Sequence, residues 1–212
     1  MTVTPQPAAA RAGTLRQPGS FFLVTSSYLP IIGGSEIEAQ RICGYLQSQG
    51  WGVRILCPGG PEMPRTPRWI DSAGMAVESF GRIANARWRP YLFGAGSAWR
   101  LFRSHREYQV AYFLMPGIQV LLGVIAARLR GKPVVMKFSG ANEVCKLLRS
   151  PAGRLQIWVL RRWARRILLL NQDMFEEARQ CGFDPARLEW MPNPVDTAEF
   201  SPADAATRAA LR

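Results

Sequence analysis

Short apolar runs alternate along the chain with segments whose apolar residues recur at helical spacing. The apolar runs predict buried strands at 21–25, 53–57, 75–80, 109–114, 132–138, 167–170 and 188–192. The amphipathic segments predict helices between 35 and 50, within 82–103, up to 130, at 151–166 and at 172–182. Strands that alternate with helices indicate a parallel sheet covered on both faces. We therefore expect an α/β fold, a doubly wound parallel sheet in one domain over residues 20–197.

Two glycines stand between the first strand and the first helix. Gly33 and Gly34 precede Ser35, and Glu38 follows three residues later in the spacing of a capping box. Gly50 predicts a left-handed end to this helix. Free N–H groups and the helix dipole at such a start favour a phosphate, and the missing Cβ atoms allow close approach. The same spacing is typical of a tight turn, so both interpretations stay open.

Four segments are expected to meet at the carboxyl edge of the sheet, because each follows a predicted strand. They are residues 33–34, 115–117, 139–143 and 171–173. The segment 191–202 should leave the sheet at the same edge. Open parallel sheets bind their ligands beyond the carboxyl ends of the strands. The sequence therefore predicts the binding site at this edge.

Composition limits the cellular setting. The four cysteines form no CxxC pair, so neither a zinc site nor a disulfide framework is expected, and a reducing cytoplasmic location fits. Residues 1–19 are rich in Pro, Ala and Gly and contain no apolar leader, which predicts a disordered tail. The longest apolar run, 112–127, is interrupted by Pro116 and Gly117, so it predicts a strand and a helix rather than a membrane span.

The formal net charge of +12 predicts an anionic partner, and only three of the 27 basic residues are lysines. Within the predicted helix 151–166, one face combines a tryptophan with arginines: Arg154, Trp158, Arg161, Arg162 and Arg165. Tryptophan and arginine together are typical of a helix at an anionic bilayer surface. An unspecific basic surface is the alternative. Nucleic acid is the least favoured partner, because no known nucleic-acid-binding signature is present.

Several nucleotide-binding and catalytic signatures are missing. The chain contains neither GxGxxG nor a glycine followed by Lys-Ser or Lys-Thr, which excludes the usual dinucleotide and P-loop fingerprints. His105 is the only histidine and stands among arginines, so a Ser-His-Asp hydrolase is not indicated. No metal site is expected.

Two stretches resemble the family 4 retaining glycosyltransferases. "SYLPIIGGSEIEAQRICGYLQSQGWGVRILCPG" is similar to the opening of that family, in which a strand leads through Gly-Gly and a Glu into a helix. "NQDMFEEARQCGFDPARLEWMPNPVDTAEFSP" is similar to the end of its first domain. The resemblance implies the GT-B fold, with two Rossmann-like domains facing a cleft. This chain then corresponds to the amino-terminal, acceptor-side domain.

The resemblance also implies a function. A sugar would pass from a nucleotide-sugar donor, a substrate rather than a cofactor, to a lipid-linked or cell-surface glycan acceptor, on the cytoplasmic face of a membrane. The family's paired glutamates belong to the second domain and are missing here, so residues 198–212 are expected to begin the interdomain linker and the chain alone to be inactive. The alternative is a non-catalytic Rossmann-like module that binds a nucleotide or nucleic acid.

Site residues transfer from the family unevenly. Gly33 and Gly34 match its glycine loop, whose backbone approaches the donor diphosphate. Ser139 stands where family members commonly have a histidine, so no catalytic residue is assigned. Pro194 replaces a glycine and should stiffen the hinge. Four residues remain as acceptor or cleft candidates: Ser139, Asn142, Asn171 and Asn193.

Overall fold

The computed structural model describes residues 19–61, 63–81 and 87–195, which fold around one eight-stranded sheet. In chain order the elements are β1 Ser20–Thr25, α1 Gly34–Ser48, β2 Gly52–Pro58, β3 Arg68–Ile70, β4 Ala76–Phe80, α2 Arg89–Arg103, β5 Val110–Leu114, α3 Ile118–Leu129, β6 Val134–Lys137, α4 Glu143–Leu148, α5 Pro151–Trp163, β7 Arg166–Leu169, α6 Gln172–Gln180 and β8 Leu188–Trp190. The predicted tail, except Gly19, and the predicted linker 198–212 lie outside the described residues.

The order of the strands is β3-β4-β2-β1-β5-β6-β7-β8. All ladders are parallel except that between β3 and β4. Connections therefore run outward from β1 in one direction and from β5 in the other. The reversal leaves a topological switch point between the carboxyl ends of β1 and β5, which is where such sheets form a ligand crevice.

The apolar strands are buried on both faces, which explains their nearly continuous hydrophobicity. Successive side chains of a strand point to opposite faces of the sheet. Phe21 and Leu23 accordingly pack in one cluster with residues of α1, whereas Phe22 and Val24 join a second cluster with residues of α2, α3, α5 and α6. The predicted doubly wound α/β fold is confirmed.

Three helices end just before a glycine. Gly50, Gly131 and Gly182 have φ of 82°, 70° and 81°, so each adopts the left-handed conformation that ends a helix. Ser150 caps α5, since its hydroxyl accepts the N–H of Gly153 at 3.1 Å. None of the described helices is both long and apolar enough to cross a membrane.

The structure corrects two local predictions. Ser35 and Glu38 do not form a capping box: α1 begins at Gly34, its cap residue is Gly33, and no side chain caps it. Glu38 instead turns into the core, where it is 3% exposed. The predicted helix 151–166 ends at Trp163, because Ala164 is extended and β7 begins at Arg166. The short elements β3 and α4 were not predicted.

Candidate functional site

The start of α1 presents backbone to the carboxyl edge. No side chain caps the helix, and an added Cβ atom at Gly34 would meet no atom within 4 Å. Gly33 is extended, and a Cβ there would lie 2.6 Å from Glu36 Oε2. The first N–H groups of a helix lack partners within it and carry the positive end of its dipole. The N–H groups that the Glu36 carboxylate leaves free at this start can therefore accept an anionic group from outside the chain.

Glu36 lies in the first turn of α1 and is 4% exposed. Its carboxylate accepts hydrogen bonds from the hydroxyl of Ser27, in the loop after β1, and from that of Ser35 at 2.9 Å. Burial opposes its ionisation, but hydrogen bonds from the two serine hydroxyls and from the N–H of Glu36 itself together outweigh burial and hold the pKa of Glu36 below its usual range. The carboxylate thus fixes the loop after β1 to the start of α1.

A buried ion pair joins α1 to the end of β6. Lys137 Nζ pairs with Glu38, and the two side chains are 0% and 2% exposed. Ser139 Oγ donates to the other Glu38 oxygen at 3.3 Å, and Lys137 donates to Asn193 Oδ1 at 3.2 Å. The pair therefore brings Ser139 and Asn193 together, as the sequence predicted for this edge.

The segment after β8 returns to the same edge. Besides the contact of Asn193 with Lys137, Arg41 of α1 donates to the carbonyl oxygen of Pro194 at 3.0 Å. The segment is consequently held against α1, and the prediction that it leaves the sheet at the ligand edge is confirmed up to residue 195.

The loop after β6 begins with Ser139 and leads into α4. The N–H of Ser139 donates to Glu143 at 3.1 Å. Burial raises the pKa of Glu143, although hydrogen bonds from the N–H groups of Gly140 and Ser139 act in the opposite direction. Asn142 is exposed and has a left-handed φ of 60°, and its N–H donates to Glu177 of α6 at 3.1 Å. Its side chain does not cap α4.

Asn171 lies at the same edge but already has a partner. Its side-chain oxygen accepts the N–H of Met174 at 3.0 Å and so caps α6. The structure therefore places Asn171 at the carboxyl edge of the sheet, with its acceptor oxygen engaged within its own helix.

A concavity of about 420 Å³ opens beside the switch point. The loops after β1 and β2, the first turn of α2 and Gln119 of α3 enclose it, through Ser26, Ser27, Ile31, Pro58, Gly59, Gly60, Pro61, Met63, Arg89, Pro90, Phe93 and Gln119. Nearby, Met115 has φ of 69°, which is a strained conformation for a residue with a side chain. An apolar space with a few polar groups is typical of a small-molecule site.

The residues predicted for a membrane surface are exposed: Arg154, Trp158, Arg161, Arg162 and Arg165. Arg154, Trp158, Arg161 and Arg162 lie on one face of α5, whereas Arg165 lies beyond its end. Arg162 and Arg165 line a separate concavity with Arg128, at the amino ends of β6 and β7. Arg154 and Trp158 lie further toward the start of α5. The rings of Trp158 and Trp163 meet edge-on, with their centroids 5.9 Å apart.

Three residues of this edge were missed by sequence reasoning. Lys137 carried a signal, because it is one of only three lysines and lies in the otherwise apolar run "VVMKF". Glu38 was assigned to a cap, and Gln119 was read as part of an apolar helix. The described residues contain no group of three or more His, Cys, Asp or Glu side chains that could hold a metal ion.

Comparison with known proteins places the chain in a family. The model of Glycosyltransferase Family 4 matches residues 32–199, which span the start of α1, the sheet edge and the segment after β8. The chain belongs to this family. The comparison with curated proteins gives no match.

Solved structures share the fold at low sequence identity. Anabaena Alr3699/HepE in complex with UDP and glucose has a TM-score of 0.64 and 15% identity, over 91% of this chain and 50% of its own. The catalytic domain of starch synthase IV from Arabidopsis thaliana, bound to ADP and acarbose, has a TM-score of 0.58 and 12% identity, over 89% of this chain and 54% of its own. The UDP-GlcNAc 2-epimerase from Methanocaldococcus jannaschii has a TM-score of 0.53 and 8% identity, over 82% of this chain and 45% of its own.

The chain thus spans about half the length of these structures and has the fold of one half of them. Because a starch synthase and an epimerase both share that fold, the fold alone does not identify the chemistry.

Proposed function

We propose that this chain is the acceptor-side half of a retaining glycosyltransferase that uses a nucleotide-sugar donor. The uncapped start of α1 at Gly33 and Gly34 carries the proposal. It lies beside the switch point, within the segment that the family model matches, and the solved structures with UDP or ADP share this fold. The diphosphate of the donor would accept hydrogen bonds from these backbone N–H groups, and the helix dipole would stabilise its negative charge.

The acceptor would occupy the concavity beside this start. Its hydroxyl group attacks the anomeric carbon of the donor sugar and gives its proton to the departing diphosphate, while the bond from that carbon to the diphosphate breaks. The departing diphosphate gains charge, so donors that face it at the start of α1 stabilise the transition state more than the ground state. Ser139 can donate a hydrogen bond in this cleft, but a serine hydroxyl is a poor proton carrier, so it is not assigned the role of a base.

The test is a transfer assay with the complete gene product. Radiolabelled UDP-, ADP- and GDP-sugars are offered with lipid extracts as acceptors, and the anomeric configuration of any product is read by NMR. Transfer with retained configuration supports the proposal. Binding of a nucleotide without transfer to any acceptor would instead support the alternative, a Rossmann-like module without chemistry of its own.

We further propose that the chain lies on the cytoplasmic face of an anionic membrane and takes a lipid-linked acceptor there. Exposed aromatic side chains on two helices support this part. Trp88 and Tyr91 at the start of α2 are 58% and 55% exposed, and Trp158 of α5 is 56% exposed. A groove of about 510 Å³ separates the starts of these two helices. Exposed aromatic and basic residues together suit a bilayer interface.

Co-sedimentation with liposomes tests the membrane part. Each arginine near an anionic surface contributes about 1 kcal/mol at low salt, so the triple variant Arg154→Gln, Arg162→Gln, Arg165→Gln should lose most binding to acidic liposomes. The charge-matched control changes Arg65, Arg103 and Arg106, which are exposed and lie outside α5, and should keep binding. Equal loss in both variants would indicate an unspecific basic surface. Added salt should weaken binding of the parent chain to acidic liposomes, and Trp158→Ala should reduce the binding that persists at high salt.

A further inference from the structure

Two of the four cysteines face each other between α4 and the end of α6. Cys145 Sγ and Cys181 Sγ are 3.9 Å apart and belong to residues that are 36 positions apart in the chain. Cys145 is exposed, and Cys181 is half-buried. Cys43 and Cys57 are fully buried, and burial raises the pKa of each thiol to about 12.

The approach of the two sulfur atoms is maintained by the backbone. Glu177 of α6 accepts the N–H of Cys145 at 2.8 Å and that of Asn142 at 3.1 Å. Gly182 follows Cys181 with a left-handed φ of 81° and ends α6 there. The start of α4 is thus anchored on α6, and a side-chain rotation at one or both cysteines can close the remaining distance to a bonded one.

We propose that Cys145 and Cys181 are a modification site, a dithiol that a small-molecule disulfide converts reversibly into an intramolecular disulfide. The Cys145 thiolate attacks one sulfur of the small disulfide and displaces the other as a thiolate, which takes a proton. The Cys181 sulfur then attacks the mixed disulfide at Cys145, loses its own proton and releases the second small thiol. Two protein thiols are oxidised and one small disulfide is reduced to two thiols.

The order of attack follows from access. Cys145 is the more exposed thiol, so it meets the reagent first. Burial raises the pKa of Cys181 to about 11, and the neighbouring Cys145 adds to this effect. Cys181 therefore acts second, when the mixed disulfide has placed a reactive sulfur next to it.

This modification would act on the ligand edge. The α4 helix follows the loop that carries Ser139 and Asn142, and α6 follows Asn171, so the new bond would tie together the two helices that start at these positions. The inference does not depend on the proposed transferase function, because it concerns only the two thiols and the helices that hold them.

The experiment treats the reduced 212-residue chain with oxidised glutathione at pH 8 and measures intact mass, free thiols after unfolding, and disulfide-linked peptides. We expect a loss of two hydrogen masses, two free thiols instead of four, and one linkage between Cys145 and Cys181. Dithiothreitol should restore four thiols. The cross-link should raise Tm by roughly 5–10 °C, since it closes a long loop in the unfolded chain.

Two variants separate the proposed steps. In Cys181→Ser the resolving thiol is missing, so Cys145 should retain a stable glutathione adduct. In Cys145→Ser the half-buried Cys181 thiol should react much more slowly. Cys43 and Cys57 serve as internal controls that remain unmodified in every sample. Four free thiols after treatment, a stable glutathione adduct in the parent chain, or a linkage that involves Cys43 or Cys57 would each overturn the proposal.

Discussion

The helices α1 and α6 both begin at the carboxyl edge of the sheet, and they begin differently. At α6, Asn171 accepts the N–H of Met174 through its own side chain. At α1, Gly33 offers no side chain, and neither Ser35 nor Glu38 takes over the cap. A cap of the Asn type commonly stabilises a helix by about 1 kcal/mol. The start of α6 is therefore satisfied within the chain, whereas that of α1 is left open to a ligand.

The comparison explains where Glu38 goes. A carboxylate three residues after Ser35 could have closed the start of α1, but it is committed to Lys137 across the sheet edge. The same ion pair positions Ser139 and Asn193. One residue thus leaves the helix start open and organises the wall of the cleft beside it.

The largest expected effect comes from breaking this pair. Lys137→Met leaves the Glu38 carboxylate buried without its partner, and we expect the free energy of unfolding to fall by about 3–5 kcal/mol. Urea denaturation measures this fall in the free energy of unfolding. The double variant Lys137→Met, Glu38→Gln removes both charges and should recover most of the loss. If the single variant is as stable as the parent, the pair does not organise this edge.

The next effect separates the two helix starts by function. Gly34→Val places a branched side chain in the open space at the start of α1, and we expect glycosyl transfer by the complete gene product to fall by about 100-fold. Tm should stay unchanged, because a Cβ at Gly34 meets no atom of the chain. Gly44→Ala is the matched control, since its Cβ would make only an ordinary 3.7 Å contact with Met75. Full activity of Gly34→Val would mean that the glycine serves the turn alone.

The start of α6 should respond in the opposite way. Asn171→Ala removes the cap, and we expect a loss of about 1 kcal/mol in unfolding free energy with donor affinity unchanged. Ser35→Ala, the counterpart in α1, removes no cap but does remove a hydrogen bond to the Glu36 carboxylate, so its cost should shrink as that carboxylate is protonated at low pH. The cost of Asn171→Ala should not follow this titration, and the same pH dependence in both variants would remove the distinction between the helix starts.

The smallest effect concerns Glu36, the acidic residue in the first turn of α1. Its pKa is lower in the folded chain than in the unfolded chain, so its ionisation stabilises the fold above about pH 4.3 and loses this effect as the pH falls through the folded value. The advantage of the parent over Glu36→Gln should therefore shrink between pH 6 and pH 3. Urea denaturation at several pH values measures this difference, and a constant difference would contradict it.

Local patterns predicted most of the fold. Apolar runs located the long strands, and Gly50 located the end of the first helix, because each of these signals is contained within a few neighbouring residues. The pairing of Glu38 with Lys137 was not predictable in this way, since its two members come from distant parts of the chain and the capping pattern around Ser35 offered a nearer interpretation. The helical spacing also predicted too late an end for α5, because Arg165 and Arg166 continue the pattern of the arginine face. The helix ends earlier, at Trp163, because Arg166 begins the strand β7.

The contacts of Asn193 and Pro194 have a mechanical consequence. Lys137 and Arg41 fasten this part of the chain beside the start of α1, and proline keeps its own φ nearly fixed. These two contacts anchor the chain at Asn193 and Pro194 beside Gly33 and Gly34. The segment after β8 and the start of α1 are therefore coupled, and losing either contact should loosen both together.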